Sequence, residues 1–521
     1  MSEQKNKLYS RRFVNSRVAG DNSESEPTVF SRVNQCRTNG SQLESAPAKL
    51  TEEDLTELKG TYGKPILYNE RGNPSSLNER YWAAVFARTK RTIYEPDENR
   101  IYTYEPERGL FLARDIPGLR EEIARLLHRL SAEGFNATIR RFINIRNLNN
   151  VVAALQGISS EQGAFSRISE ELRFIHAANC MLVFNGLGFY PERFSPSFRS
   201  RCQSPIPYYP GEDCPKFRQL LDDAYLDEDD QRLIQAYFGQ CLLGRNLSQT
   251  MLLLDGEAGS SKTTIAKVIG GTVGEYNCAQ LRTGQLHNRF EFSAFIGKSL
   301  LMAPDVKANF LQEYGAPLIK VLTGGDRLDA EMKGSNQRIP LEGLLNLIIT
   351  ANSRLRAKLE GDASAWFRRL LRIWLGQKSK AQPIADYDRL LIAEEGCGLL
   401  NFGLAGAQLL LGDLAETGVI KLTTAQRLRI SRFIDESDSL RVFLRDQLAA
   451  TTNSQHDVTN QEIIDRYSKD CVQHDITPLP IREIENTLSG LMFELFGRSL
   501  SHSIKRDDKG QRGYSRIKWV E

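Results

Sequence analysis

The hydrophobic pattern changes period several times along the chain. Residues 1 to about 50 are polar, rich in Ser, Asn, Arg and Glu, and carry neither a helical nor a strand period. Such a stretch buries too little surface to order itself, so a flexible polar tail is expected, with its limit set at residue 70. From about 76 to 115 aromatic and apolar residues alternate, as in RTIYEP and IYTYEPERGLFLARD on either side of a turn at Asp97-Glu98-Asn99, which predicts a hairpin or meander. IPGLREEIARLLHRLSAEG then repeats apolar residues at helical spacing behind a proline, and helices are expected to about 180. A second strand-and-turn passage covers MLVFNGLGFYPERF and SPIPYYPGEDCPKF, before helices return between about 216 and 245.

At Thr250 the texture becomes TMLLLD, a short apolar run of strand length, followed by a Gly/Ser-rich turn and the helical TTIAKVIGG. Two further runs, SLLMAP at 299 to 304 and LLNLIITAN at 344 to 352, are separated by stretches long enough to carry helices, so an α/β unit with a largely parallel sheet is expected. SAWFRRLLRIWL reads as a helix. Beyond about 435, SLRVFLRDQL, NQEIIDRYSKDC and PIREIENTLSGLMFELFG predict amphipathic helices, and the chain closes in a hairpin around Asp507-Asp508-Lys509-Gly510.

Composition adds limits. The 521 residues suggest about three domains. With 40% hydrophobic and 26% charged residues, neither a fibrous nor a wholly disordered chain is indicated. No run of 18 apolar residues occurs and the amino terminus lacks a secretion-type apolar stretch, so a cytoplasmic protein without a membrane partner is expected. Eight cysteines without a C-x-x-C pair and six histidines argue against a zinc site or a disulfide scaffold. Basic and acidic residues nearly cancel, 68 against 65, so a nucleic acid would have to be held by local patches.

Candidate chemistry begins at Gly256-Glu257-Ala258-Gly259-Ser260-Ser261-Lys262-Thr263-Thr264, a phosphate-loop pattern in which Ser261 stands where a second glycine is usual. In such a loop successive backbone N–H groups face nucleotide phosphates at a helix start, the lysine reaches the β and γ phosphates, and the hydroxyl of Thr263 binds Mg²⁺. ATP and Mg²⁺ are the expected cofactors. Ser261 lacks glycine's freedom at positive φ, so an altered loop is anticipated. A carboxylate at the end of another strand is also required, and Asp305 meets that description; its alternative role is a turn or cap. No acid stands beside it, which leaves the water-polarising carboxylate open. Asn352, at the tip of the third run, either aligns the water and senses the γ phosphate or serves as an ordinary turn residue. Arg368 or Arg369 is a candidate to reach the nucleotide of a neighbouring subunit, against the alternative of a solvated or paired arginine.

The succession GEAGSSKTT, SLLMAPD, IKVLTGGDRLDAE, LIITAN and FRRLLRIWL resembles the superfamily 3 helicases, in particular the phage/plasmid primase-helicase group (poxvirus D5-like). The resemblance runs from about 75 to 521 and takes in VFNGLGFYP, LIQAYFGQCLLGRNLSQTMLLLDG, IAEEGCGLLNFGLAGAQLLL and FIDESDSLRVFL. It implies an AAA+-type P-loop ATPase at 241–430, preceded by a helix-rich α+β domain at 71–240 and followed by a winged-helix DNA-binding domain at 435–521. It further implies a homohexameric ring with shared ATP sites, moving 3′ to 5′ on single-stranded and forked DNA in a bacterial host cell. In that scheme Lys262 and Thr263 hold phosphate and Mg²⁺, Asp305 is the Mg²⁺ acid, Asn352 the sensor, and Arg368 or Arg369 the trans-acting finger. Lys333, just before Gly334, would project from a channel hairpin, or else is a solvated turn lysine.

The 70 or so residues before the covered part are too few for a primase fold, so a separate primase or polymerase is the expected partner. Residues 500 to 521 carry six basic against three acidic side chains, with Tyr514 and Trp519 interleaved. Lys505, Arg506 and Arg512 are the candidate DNA contacts there, unless the aromatics pack on the helices and the charges are merely solvated. The leading expectation is a replicative helicase of a phage, plasmid or integrated element. The alternatives are an ATP-binding origin initiator or loader, and a scaffold whose loop no longer hydrolyses.

Overall fold

The computed structural model describes residues 50–520 apart from 134–136, 166–172, 287, 289, 308–314, 332–337, 353–362, 381, 438, 474–477, 507 and 508. Its centre is a five-stranded, wholly parallel sheet built from β1 (Met251–Gly256), β2 (Cys278–Gln280), β3 (Leu300–Ala303), β4 (Asn346–Ala351) and β5 (Leu370–Leu375), in the order β2-β3-β4-β1-β5. Side chains alternate across it, as a pleat requires. Leu252, Leu254, Ile348, Leu371 and Ile373 enter the core on one face, whereas Met251, Leu253, Leu347, Ile349 and Leu370 enter the core on the other. A sheet covered on both faces explains why these strands read as continuous apolar runs.

The first face is roofed by helices Glu228–Leu243, Lys262–Val273 and Tyr387–Thr417. The last of these is, by length and composition alone, apolar enough to cross a membrane, but Leu391, Leu399, Leu400 and Leu410 lie buried in the core. It approaches Glu228–Leu243 so closely that a Cβ at Gly406 would stand 1.7 Å from the Gln235 carbonyl oxygen. The other face is covered by Gly315–Gly324 and Thr424–Ser437.

Before this unit, four helices and a three-stranded antiparallel meander (Thr92–Glu95, Arg100–Glu105, Leu110–Arg114) share a core around Trp82, Phe86 and Leu127. The boundary of the tail moves here. Glu52–Tyr62 is a helix opened by a reciprocal Thr51/Asp54 capping box, and Leu58 and Ile66 are buried in that core, so the expected tail does not extend to residue 70. The alternation read from residue 76 likewise gives way to the helix Glu79–Thr89, whose Asn78 cap and buried face of Trp82, Val85 and Phe86 fit a 3.6-residue period. After the central unit, helices Ser439–Gln447, Asn460–Gln473 and Ile481–Phe496 pack on a three-stranded antiparallel sheet ending in the pair Ser501–Arg506 and Lys509–Ser515. The expected hairpin tip at 507 and 508 lies outside the described residues.

His176 ties the second small sheet (Phe174–His176, Met181–Phe184, Phe189–Glu192) to the meander. Its Nε2 donates to the Arg108 carbonyl (2.8 Å), leaving Nδ1 to accept from Ser200 Oγ (2.8 Å). Burial pushes this imidazole down to about 4, so the folded ring stays neutral while the unfolded ring takes up a proton below about 6.5. The unfolded chain therefore binds the extra proton between these values, and stability falls as pH drops through that window by about 3 kcal/mol. In denaturant titrations from pH 7 to 4, wild type should lose about that much more than His176→Gln; equal losses would refute the assignment.

Candidate active site

Parallel strands deliver their carboxyl ends to one edge, the place where open α/β sheets bind ligands. β1 ends at Gly256, whose φ of 141° and nearness to β5 admit no side chain: a Cβ would meet the Leu375 carbonyl oxygen at 2.1 Å. The Glu257 N–H donates to that same oxygen (2.9 Å). Gly259 (φ 80°) and Ser261 (φ 70°) follow, both left-handed, and the helix Lys262–Val273 begins immediately. Ser261 thus adopts the conformation for which glycine is usual, at a backbone cost of about 1–2 kcal/mol.

Lys262 is buried inside this turn. Its ammonium donates to the carbonyl oxygens of Gly256 (3.1 Å) and Glu257 and to Ser260 Oγ (3.0 Å). Burial lowers its pKa, and the carboxylates of Asp255, Asp305 and Glu257 offset part of that shift. Thr263 and Thr264 stand half-buried on the first helical turn.

Asp305 follows β3 with φ 47° and is exposed. Its N–H donates to Thr350 Oγ1 (3.2 Å), the next N–H, of Val306, donates to the Thr350 carbonyl (2.9 Å), and its Oδ1 accepts from Asn352 Nδ2 (3.0 Å). Lys262, Asp305 and Asn352 therefore gather on one edge. One accessible carboxylate and one hydroxyl suit Mg²⁺, which keeps most of its waters and takes few protein ligands. Among the described residues no cluster of three or more His, Cys, Asp or Glu forms a ready-made metal cage.

Arg368 and Arg369 end the helix Ala363–Arg369 at the opposite edge, because β5 starts at Leu370 in register with Met251 while Leu375 pairs with Gly256. A six-residue strand spans roughly 20 Å, so neither arginine lies beside the turn at 256–263 of its own chain. Arg368 is exposed; Arg369 is half-buried, with its Nε enclosed and without a hydrogen-bond partner. Lys333 lies outside the described residues, in the stretch of sequence between the antiparallel strands Arg327–Glu331 and Arg338–Glu342. Lys505 and Arg512 are exposed, but Arg506 binds Asp457 (2.6 Å) and Glu462 (2.8 Å), which commits its charge within the chain and removes it from the candidate DNA contacts. Tyr514 is fully buried, and Trp519 packs on Phe443 beneath Arg466.

Sequence reasoning overlooked an ion pair directly beneath the loop. Asp255 and Arg372, 0% and 5% exposed, join the carboxyl end of β1 to β5 through Nε–Oδ1 (3.0 Å) and Nη2–Oδ2 (2.8 Å) contacts. The guanidinium lies 5.3 and 5.1 Å from the ring centres of Trp374 and Phe433. Arg429, paired with Asp230 (2.8 Å), also donates to the Arg372 carbonyl (3.4 Å). A charged residue inside each of two apolar runs was the available signal; it was lost because LLRIWL reads equally as a helix.

A family model described as a family of unknown function (DUF5906) matches residues 254–369, the stretch holding Lys262, Asp305, Asn352, Arg368 and Arg369. The chain is similar to an uncharacterized mitochondrial protein, ymf21, of Marchantia polymorpha, with 32% identity over 90 residues; the match covers 17% of this chain and about half (50%) of that relative's length. Solved apo structures of the NrS-1 C-terminal region align over 84% of this chain and 98% of theirs at 11% identity, with TM-scores of 0.45 and 0.47.

Removing one partner of a buried pair strands the other charge, so Arg372→Met should destabilise the fold by about 3–5 kcal/mol, and Asp255→Asn combined with it should recover most of that. Chemical denaturation of the three variants tests this. A loss below about 1 kcal/mol in Arg372→Met would show that the pair does not brace the loop.

Proposed function

We propose that this chain is an ATP-dependent, ring-forming replicative DNA helicase of a phage, plasmid or integrated element, moving 3′ to 5′. The observation that carries the reading is the convergence, at one sheet edge, of a left-handed Gly/Ser turn around a buried lysine with the Asp305–Asn352 pair. A nucleoside triphosphate has complementary chemistry. The turn offers backbone N–H groups at a helix start, and Lys262 exchanges its loop oxygens for the β and γ phosphates. Thr263 Oγ1 and Asp305 would hold Mg²⁺, whose role when bound is to neutralise charge developing on the phosphate oxygens. Asn352, which hydrogen-bonds Asp305, would orient water in line with the γ phosphorus; attack would form the new P–O bond, break the bond to the β phosphate, and leave ADP and inorganic phosphate.

Arg368 or Arg369 acts in this scheme on the site of an adjacent copy, since their own loop lies across the sheet. Arg368, the exposed member, is the better suited to stabilise charge there, while Arg369 packs inward. A closed ring follows from such head-to-tail sharing when the rotation closes. Single-stranded or forked DNA would be gripped by the 327–342 hairpin with Lys333 and by the carboxyl-terminal unit, where Lys505 and Arg512 remain available to phosphates. A separate primase or polymerase is a fitting partner for such a motor.

Lys262→Ala should reduce DNA-stimulated ATP hydrolysis by on the order of 100-fold or more. Unchanged turnover would remove the motor reading, and turnover without opening of forked duplexes of either polarity would favour a loader. Arg368→Ala should slow hydrolysis by on the order of 1,000-fold, and mixing it with Lys262→Ala protein should restore measurable activity through hybrid interfaces. Absence of rescue would contradict shared sites.

A further inference from the structure

We propose that Tyr225 is the platform on which the base of the bound nucleotide stacks, beside Lys380; this rests on the nucleotide reading above and adds where the nucleoside goes. Asp305 and Asn352 lie on the β3/β4 side of the phosphate loop, which sets the terminal phosphate on that side. The nucleoside end must then leave toward β5. The segment that follows β5 crosses the loop there: the Ser379 N–H donates to the Gly259 carbonyl (3.0 Å), and the next N–H, of Lys380, donates to the Asp223 carbonyl (3.0 Å). These two bonds bring the end of the helix Pro215–Asp223 alongside the loop, and Tyr225 follows two residues beyond that helix.

Three features set Tyr225 apart. It is 49% exposed, although its neighbours Leu221, Ala224 and Leu226 are all buried. Its φ is 57°, a left-handed conformation at a helix end closed by the Leu226 N–H to Leu221 carbonyl bond (3.2 Å), where glycine is the unstrained choice. A bulky aromatic held there against its backbone preference points to use of the ring. Finally, the Lys380 ammonium lies 4.4 Å from the ring centre, so a cation accompanies the ring next to the segment that hydrogen-bonds the loop. Every base has a π-face, so such a platform favours a nucleoside triphosphate over inorganic triphosphate more than one purine over the other.

Tyr225→Gly separates ring from fold, because it relieves the backbone while deleting the aromatic. In calorimetric titrations of the full chain with Mg²⁺, this variant should bind ATP roughly 10-fold or more weakly, bind inorganic tripolyphosphate like wild type, and melt at no lower temperature. Tyr225→Phe should retain wild-type ATP affinity. ATP affinity unchanged in Tyr225→Gly, or an equal loss for both ligands, would overturn the base platform alone. Failure of wild type to bind either ligand would overturn it together with the nucleotide reading.

Discussion

The register of the parallel sheet is the constraint on which the site depends. Asp255 pairs with Ala351 on one side and with Trp374 on the other, and Ile349 pairs with Ala303. Those pairings bring the strand ends to one edge: Gly256 closes β1 and opens the Gly/Ser loop, Asn352 follows β4, and Asp305, two residues past β3, hooks back over Thr350. Shifting any strand by one residue would exchange its two buried faces and displace its terminal residue. Apolar alternation over five strands thus fixes polar geometry at their ends.

That edge also has to tolerate charge. Lys262 lies in a largely desolvated turn, where an isolated ammonium would be unfavourable, and the surrounding oxygens together with Asp255 and Asp305 keep it occupied. Asp255 is in turn neutralised by Arg372, whose guanidinium is bracketed by Trp374 and Phe433. Phe433 belongs to Thr424–Ser437, the helix that leads into the carboxyl-terminal unit. The loop, the buried pair and that helix form one contiguous set of contacts.

Much of this was legible in the sequence, for identifiable reasons. The three apolar runs TMLLLD (from Thr250), SLLMAP (299–304) and LLNLIITAN (344–352) could be placed because strands buried on both faces are short, uninterrupted and bounded by polar residues. Lys262, Asp305 and Asn352 were the candidate residues at their ends, and the fold gathers them at one sheet edge. β5 was not legible: Arg368 and Arg369 close a helix and Leu370 begins a strand with no intervening turn residue, so one amphipathic helix appeared to run through both. With β5 hidden, Arg372 could not be matched to Asp255. Arg506 was missed in the opposite direction, since its partners Asp457 and Glu462 lie more than 40 positions away and nothing local marks them. The tail was drawn too long because its first helix announces itself only through the Thr51/Asp54 box.

The account stands or falls on what the loop at 256–263 holds. The most direct measurement is a structure of the full chain with Mg²⁺ and a nonhydrolysable ATP analogue. The expected result is a triphosphate wrapped by that loop, with Lys262 turned from its own carbonyls to the β and γ phosphates and the metal between Thr263 and Asp305. A nucleotide bound at another place, or phosphates in the loop with Asp305 and Asn352 turned away from them, would contradict it.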